Sequence, residues 1–341
     1  MLEKPEIPDE LIISCVQAEY RLEVAQITFL PLGYDVNTAV YRIDAHDHRT
    51  YFLKLRKGSF DLTTVAIPHF LSNLGIPSII APLETSQQQL FGRLSGGRKN
   101  YWLILYPFIP GKDGYQVKLA DHQWRELGST LKRVHRAQIP AGLIPLVPQE
   151  TYNPAWRESV KQFQSQVEKV SFEDQVAAKL AGFLRAHRQE IYRMVERAEV
   201  LAYSLCRGSQ DFVLCHSDAH PGNFLIADDG RLYLVDWDSP IFAPKERDLM
   251  FFGAGMMGDL PGGLAERLFY EGYGQVDVNQ TALAYYRYER IIQDIAEFCK
   301  QLLLTTDGGD DREQAYTYFT SSFLPGNVIE AAMLTDQYLT N

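Results

Sequence analysis

The chain has 341 residues, of which 46% are hydrophobic, and it carries a formal net charge of −10. This length is enough for two domains, and the hydrophobic fraction supports sizeable cores, which excludes a disordered or fibrous protein. The acidic balance argues against binding to nucleic acid or to an anionic membrane, because both partners attract basic surfaces. We therefore expect no nucleic-acid or membrane partner, and no feature of the sequence indicates an obligate protein partner.

The amino-terminal residues and the cysteines indicate a cytoplasmic protein. The chain begins MLEKPEIPDE, with acidic residues and prolines where a secretory signal has basic and apolar stretches. Its four cysteines form no CxxC pair. We expect reduced, largely buried thiols rather than disulfides or a metal site built on cysteine.

The first third of the chain alternates between helical spacing and β-rich runs. We predict helices over 8–20 and 60–75, the second limited by Pro68, which has no amide hydrogen to donate. Runs of β-forming residues bounded by turn residues predict strands over 26–31, 38–44, 50–56, 87–93 and 101–108. This order predicts a small α+β domain that ends near Phe108.

Helices dominate from Leu119 onward. Amphipathic spacing predicts helices after Leu119, over 154–205 and over 281–304, with a short β segment at 211–237. The whole pattern predicts a small β-rich domain over 1–108 and a larger, mainly helical domain over 109–341. A hinge at about 105–111 joins the two.

One segment of the β region has residues in an order that indicates chemistry. DFVLCHSDAHPGNFLIADDGRLYLVDWD, residues 211–238, contains Asp218, then Asn223 five residues later, then Asp236 after a hairpin with an Asp-Asp-Gly turn. Phosphoryl-transfer enzymes use this order for a base aspartate, an asparagine and a metal-binding aspartate. Each residue alone is typical of a turn or a helix cap, but the ordered set favours catalysis.

The spacing also predicts a role for each of these side chains. A loop can aim Asp218 at a substrate hydroxyl, while Asn223 and Asp236 coordinate Mg²⁺, and two such ions would neutralise the phosphates of ATP. We predict that His216 braces the loop through hydrogen bonds. His220 either contacts the substrate or is a hydrogen-bonded loop residue.

The motifs HSDAHPGN and VDWD resemble the signature of the aminoglycoside phosphotransferase family, which is itself similar to choline and homoserine kinases. The stretches APKERDLMFFGAG, FYEGYG and YYRYERIIQDIAEF resemble the spectinomycin phosphotransferases within that family. The resemblance covers nearly the whole chain. It implies a bilobal, protein-kinase-like α+β fold with a small β-rich N-lobe and a larger helical C-lobe.

The same resemblance implies further site residues. Lys54 corresponds to the lysine that reaches the α- and β-phosphates, although a solvated strand lysine is the alternative. The Tyr106 carbonyl and the Phe108 amide correspond to the adenine contacts, and Asp248 to an aspartate that braces the catalytic loop. The phosphate-covering loop corresponds to PLGYDVNTAVY, in which we expect backbone amides near Asp35, Asn37 and Thr38 to bind phosphate.

The chain departs from the kinase template at the partner of Lys54. The template pairs this lysine with a helix glutamate, but residues 55–80 contain no glutamate, and Asp61 is the only acidic residue there. Two interpretations follow. Either Asp61 pairs with Lys54, or phosphate alone orients the lysine.

The sequence also favours a small, cationic substrate. Only eleven residues separate Asp236 from Asp248, too few for the peptide-docking segment of protein kinases. In the resembling family, carboxylates of the carboxy-terminal helices face the catalytic loop. We therefore take Asp294 and Glu297, together with Trp237 and Asp238, as candidates to bind a substrate ammonium group.

Two alternatives to this assignment stay open. Asp294 can instead belong to a solvated helix face, paired with Arg290, and the nearby tyrosines can belong to the core. For the function, the first hypothesis is an antibiotic kinase acting on spectinomycin. The second is a metabolic kinase of the choline, homoserine or methylthioribose type, and the third is a nucleotide-binding pseudokinase that acts as a regulator.

Overall fold

The computed structural model describes residues 4–33, 37–96, 99–255, 260–306, 311–337 and 339. The chain divides into two compact units. The first contains Met1–Leu119, Ala137–Pro148 and Gly222–Pro240, and the second contains Ala120–Arg136, Gln149–Pro221 and Ile241–Asn341. The boundary that we predict for the two lobes, at residue 108, stays a prediction.

A five-stranded antiparallel sheet forms the centre of the first unit. It has the order β1-β2-β3-β5-β4. The elements of this part are α1 (Asp9–Tyr20), β1 (Val24–Leu30), β2 (Thr38–Ala45), β3 (Thr50–Lys57), α2 (Thr63–Asn73), β4 (Gly92–Gly96) and β5 (Lys99–Pro107). Alternate residues of the central strands point to one face, where Tyr41, Leu53 and Leu103 are fully buried against Ile12 and Val16 of α1.

A second, smaller sheet completes this unit. It consists of β6 (Gly111–Asp113), β8 (Phe224–Ala227) and β9 (Leu232–Leu234), in the order β6-β8-β9. The turn between β8 and β9 is the predicted one, and Gly230 adopts φ +86° there. This left-handed conformation costs glycine little, which explains glycine at that position.

The second unit is mainly helical and contains the strand pair β7 (Val213–Cys215) and β10 (Ile241–Ala243). Its helices are α3 (Asp121–His135), α4 (Ala155–Lys169), α5 (Gln175–Ala186), α6 (Arg188–Arg207), α7 (Glu246–Leu249), α8 (Leu264–Tyr273), α9 (Gln280–Leu304), α10 (Asp311–Ser321) and α11 (Val328–Gln337). Helix α9 contacts α4, α6 and α11. Its Tyr285, Tyr286 and Tyr288 are buried, so these three tyrosines belong to the core.

Most predicted elements are present, with some changes at their ends. The strand expected over 87–93 begins only at Gly92, because Thr85 and Gln89 close a turn in which the Thr85 amide donates to the Gln89 carbonyl. The helical stretch over 154–205 is three helices, and the Asp174 side chain caps the second of them. The three-residue strands β6 and β10 were not predicted, since so short a run carries no periodicity.

The helices of the described ranges differ in length and in apolar character. None of them combines the length and the apolar character that a membrane span requires.

Candidate active site

Lys54 lies in the middle of strand β3, between Val40 of β2 and Ile104 of β5. Its chain neighbours Leu53 and Leu55 point into the core. Because side chains alternate along a strand, Lys54 points to the opposite face of the sheet. The core pattern of β3 thereby determines the direction of the lysine.

Two aspartates meet the Lys54 ammonium group. Its Nζ donates to Asp236 Oδ1 at 2.9 Å and to both carboxylate oxygens of Asp238 at 2.8 Å. Arg56 lies two residues further along the strand, and its Nη1 is 3.1 Å from Asp238 Oδ2. Burial opposes the charged form of Lys54, but Asp236 and Asp238 outweigh it and raise the pKa of the lysine.

The structure pairs Lys54 with Asp236 and Asp238 rather than with Asp61, and orientation of the lysine by phosphate stays a prediction. Asp61 Oδ1 instead accepts hydrogen bonds from the Thr63 amide (2.9 Å) and the Thr63 hydroxyl (2.7 Å), at the start of α2. The carboxylate that accepts from Lys54 through both of its oxygens belongs to Asp238. Burial raises the pKa of Asp238, and Lys54 and Arg56 act against this rise.

Asp236 has an unusual backbone. Its φ is +65°, in the left-handed region that non-glycine residues rarely adopt and that aspartate tolerates better than most. The preceding amide, of Val235, donates to the Asn223 backbone carbonyl at 3.0 Å, so the two predicted metal-binding positions are neighbours. Carboxylate and amide oxygens are donors that Mg²⁺ prefers, and the residues present therefore fit this ion.

The backbone register changes the predicted adenine contact. The Phe108 amide donates to the Thr50 carbonyl at 3.1 Å, which makes 108 and 50 a hydrogen-bonded pair. Tyr106, two residues earlier, pairs with Phe52 in the same way. Tyr106 and Phe108 thus direct their backbone groups toward β3, and those directed away belong to Pro107 and Ile109. The register therefore does not support the predicted contact of adenine with the Tyr106 carbonyl and the Phe108 amide.

The predicted phosphate loop is described only in part. Asp35 lies outside the described residues. The Asn37 carbonyl accepts a hydrogen bond from the Lys57 amide at 2.8 Å, and Thr38 is the buried first residue of β2. Their contact with phosphate stays a prediction.

Trp237 packs inside the first unit. It is 4% exposed, and its indole Nε1 donates to the Leu234 carbonyl at 3.1 Å. Such burial leaves little of the ring for a ligand. The burial of Trp237 and the pairing of Asp238 with Lys54 disfavour the substrate-binding role that we expected for these two residues.

The loop that carries Asp218 belongs to the second unit and is fixed by Asp248. The fully buried Asp248 carboxylate accepts the His216 amide at Oδ2 (3.0 Å) and the Ser217 amide at Oδ1 (2.6 Å). The Asp218 amide donates to His216 Nδ1 at 3.2 Å. These hydrogen bonds are of the kind that we predicted for His216 and Asp248, which hold the loop in place.

A buried hydrogen-bond chain extends this brace to two further helices. His135 of α3 places Nε2 at 2.9 Å from Asp248 Oδ2 and Nδ1 at 2.7 Å from the hydroxyl of Tyr273 on α8. Burial opposes the charged form of Asp248, yet the bond from His135 keeps the pKa of the carboxyl below its usual value. Cys215 also lies beside His135 and Asp248. The bonds already made by the histidine and the aspartate explain this cluster as a structural one.

Arg290 is the residue that the sequence reasoning missed at this loop. Its Nη1 lies 2.5 Å from Asp218 Oδ1, and His220 Nε2 lies 3.5 Å from Asp218 Oδ2. Burial alone would raise the pKa of Asp218, but His220 and the Arg290 guanidinium hold it well below its usual range. The available signal was the position of Arg290 on the helix face that we expected to meet the catalytic loop.

The two predicted substrate carboxylates of α9 differ in their surroundings. Asp294 Oδ1 lies 3.0 Å from Arg290 Nε, and burial raises the pKa of Asp294. Glu297 is exposed and accepts a hydrogen bond from Gln293 at 3.0 Å. The pair considered as the alternative for Asp294 therefore forms, but its arginine also contacts Asp218.

Comparisons with known proteins agree with this arrangement. Residues 27–274 match the model of a family described as the phosphotransferase enzyme family. A crystal structure of spectinomycin phosphotransferase in complex with ADP and spectinomycin is 34% identical in sequence. The match covers 98% of this chain and 100% of the other, with a TM-score of 0.89. The AMP-bound complex of a spectinomycin phosphotransferase is also 34% identical, over 95% of this chain and 98% of the other, with a TM-score of 0.83.

More distant structures share the fold. Choline kinase from Streptococcus pneumoniae is 16% identical, over 92% of this chain and 97% of its own, with a TM-score of 0.55. At this identity the likeness concerns the fold alone. The predicted protein-kinase-like α+β fold is confirmed.

Proposed function

Because the chain belongs to the phosphotransferase enzyme family, we propose that it transfers the γ-phosphoryl group of ATP to a hydroxyl of a small molecule, with spectinomycin as the first candidate acceptor. The observation that carries this proposal is the position of Asp218. Asp218 lies on a loop whose two preceding amides are bound by the buried Asp248 carboxylate. A braced carboxylate can orient a hydroxyl, and orientation contributes much of the rate in phosphoryl transfer.

The reaction is a single in-line displacement. The acceptor oxygen forms a bond to the γ-phosphorus as the bond from that phosphorus to the bridging oxygen breaks, and ADP leaves. Asp218 accepts the proton of the hydroxyl. Because His220 and Arg290 hold the pKa of Asp218 low, the carboxylate is a weak base that accepts this proton late in the displacement.

The first unit supplies the groups for the nucleotide. In this proposal Lys54 binds the α- and β-phosphates, exchanging its contact with Asp236 for phosphate oxygens. Asn223 and Asp236 would hold Mg²⁺, which when bound neutralises charge on the phosphates. The Pro107 carbonyl and the Ile109 amide are our proposed contacts for the adenine ring.

The acceptor is proposed mainly from the relatives. The 34% identical spectinomycin phosphotransferase binds ADP and spectinomycin, as its complex shows, and it aligns over its whole length with this chain. The half-buried Asp294 and the exposed Glu297 add acidic charge to the face of α9 that carries Arg290. An acceptor with ammonium groups fits that charge.

The test is a panel of acceptors assayed with MgATP. ADP release is followed by a coupled assay and the products by mass spectrometry, for spectinomycin, an aminoglycoside, choline, homoserine and methylthioribose. We expect phosphorylated spectinomycin, and Asp218→Asn to lower kcat by about 10²- to 10⁴-fold while ATP still binds. A higher kcat/KM for another acceptor would replace spectinomycin in the proposal. ATP binding without any phosphorylated product would support the regulator hypothesis instead.

A further inference from the structure

The guanidinium of Arg290 lies between two carboxylates on the helix face that meets the catalytic loop. Nη1 is 2.5 Å from Asp218 Oδ1, and Nε is 3.0 Å from Asp294 Oδ1. The Arg290 guanidinium carbon lies 5.7 Å from the centroid of the Phe251 ring. Three side chains thus restrain the arginine, which is only 20% exposed.

The two oxygens of the Asp218 carboxylate have different neighbours. Oδ1 meets Arg290, whereas Oδ2 has His220 Nε2 at the longer distance of 3.5 Å. The Arg290 contact, at 2.5 Å, is a charge-assisted hydrogen bond, which is stronger than one between neutral groups. A carboxylate with one oxygen held by an arginine also loses freedom to rotate about its terminal bond.

We propose that Arg290 is a positioning residue for the catalytic aspartate, holding Asp218 Oδ1 and thereby fixing the orientation of the carboxylate that receives the acceptor hydroxyl. This inference rests on the proposed function, because it assigns Asp218 the role of orienting the hydroxyl. Arg290 acts through Asp218, while Asp294 holds the arginine from its other side.

The charges around Asp218 give this arrangement a pH signature. The charged or titratable groups that face the carboxylate are His216 and His220 from its own loop and Arg290 and Asp294 from α9. Arginine stays charged at every pH at which the enzyme can be assayed. Loss of Arg290 therefore raises the pKa of Asp218 and moves the acid limb of the kcat profile to higher pH, a change that loosened packing would not produce.

The alternative is that Arg290 competes with the acceptor. In that case the pair exists only until the substrate hydroxyl displaces the arginine from Asp218. Removal of the guanidinium would then lower the KM for the acceptor and raise kcat/KM.

The experiment compares Arg290→Gln and Arg290→Lys with the intact full-length protein, using spectinomycin and MgATP. For Arg290→Gln we expect kcat to fall about 10- to 100-fold, KM for ATP to change by less than about twofold, and the acid limb to move up in pH. Arg290→Lys keeps the positive charge and should restore the position of the limb, with only part of kcat. Arg188→Gln is the matched control, since Arg188 pairs with Glu168 on an exposed surface. An unchanged profile, or a raised kcat/KM, in Arg290→Gln would overturn the proposal.

A measurement without turnover separates this inference from the proposed function. Urea unfolding of Asp218→Asn, Arg290→Gln and the double variant gives the coupling between the two side chains. Non-additive effects support the pair even if the wild-type protein phosphorylates none of the acceptors, which would remove the proposed function alone. Additive effects in a protein that does phosphorylate spectinomycin would remove the role of Arg290 alone.

Discussion

At the scale of single residues, the partner of Lys54 is the clearest departure from the kinase template. A helix glutamate normally orients this lysine, and here both oxygens of Asp238 do so at 2.8 Å. The exchange is possible because Asp238 follows Asp236 by two residues, so that both carboxylates approach the same ammonium group. Asp61 instead accepts a hydrogen bond from the Thr63 amide at the start of α2.

The first prediction concerns Asp238. Asp238→Asn should raise KM for ATP and Kd for ADP about tenfold, because a neutral amide holds the Lys54 ammonium less firmly than a carboxylate. Asp238→Glu should recover most of the affinity, since it keeps the charge. Steady-state kinetics and calorimetric titration with ADP measure the two constants.

The matched control for this prediction is Asp61→Asn, which keeps an oxygen for the Thr63 amide and should leave both constants unchanged. A different outcome would return Asp238 to the role that the sequence suggested. In that case Asp238→Asn would raise KM for the acceptor and leave KM for ATP as it is.

At the scale of elements, α3 and α8 support the loop that carries Asp218, and their backbones approach closely. Each helix carries a glycine at the contact. A Cβ built on Gly272 would lie 1.9 Å from the Arg125 carbonyl oxygen, and one on Gly128 would lie 2.1 Å from the Phe269 carbonyl oxygen. This close approach brings His135 and Tyr273 into hydrogen-bond distance, and His135 in turn holds Asp248.

The second prediction tests this helix contact. Gly272→Ala should lower the free energy of unfolding by about 3 kcal/mol, because the new methyl group overlaps backbone atoms that cannot move independently. It should also lower kcat, since separation of α3 from α8 weakens the bond between His135 and Tyr273. Thermal and urea unfolding, with kcat measured below the transition, check both effects.

Gly182→Ala provides the comparison within the same unit. Gly182 lies in α5, and a Cβ there meets no atom within 4 Å. Alanine should therefore raise the free energy of unfolding by about 0.5–1 kcal/mol through helix propensity alone. Equal effects of the two substitutions would mean that the α3–α8 approach is not tight.

At the scale of the whole molecule, helix α9 joins structure and chemistry. One of its faces carries Arg290, and another carries Glu289, whose Oε2 lies 2.6 Å from Nη1 of the buried Arg157 on α4. Burial raises the pKa of Glu289 to about 7, with Arg157 acting in the opposite direction. The stability of the protein is therefore linked to pH through a residue next to the proposed positioning arginine.

The third prediction follows from the direction of this shift. Between pH 4.5, the ordinary pKa of the carboxyl, and about 7, the folded chain holds a proton that the unfolded chain has released. The contribution of Glu289 is therefore fully present below pH 4.5 and is lost as the pH rises to about 7. At about 1.4 kcal/mol per pKa unit, the free energy of unfolding falls by an amount on the order of 3 kcal/mol.

Urea unfolding at several pH values between 4.5 and 8 tests this linkage. Glu289→Gln should be closest in stability to the wild-type protein near pH 4.5, where Glu289 is protonated in the folded chain, and it should lack this part of the pH dependence. Glu313→Gln, at an exposed ion pair with Lys179, should keep it. Parallel curves for the wild-type protein and Glu289→Gln would contradict the raised pKa.

The sequence by itself determined the fold class, the family and the order of the reacting residues. The alternation in β3 predicted a strand with Lys54 between two core leucines, and the spacing from Asp218 to Asp236 predicted a loop and a hairpin. These features depend on residues close together in the chain, where periodicity and turn chemistry act. The predicted family and fold are both confirmed.

Tertiary structure decided which charges meet. Asp238 and Lys54 are 184 residues apart, and Arg290 and Asp218 are 72 apart, so neither pair leaves a trace in local spacing. The backbone groups proposed to contact adenine also depend on β3. The pairing of Phe108 with Thr50 decides which backbone groups of this segment face away from that strand. Ion pairs and strand register depend on how distant segments are brought together, and the sequence identifies the charged residues without identifying their partners.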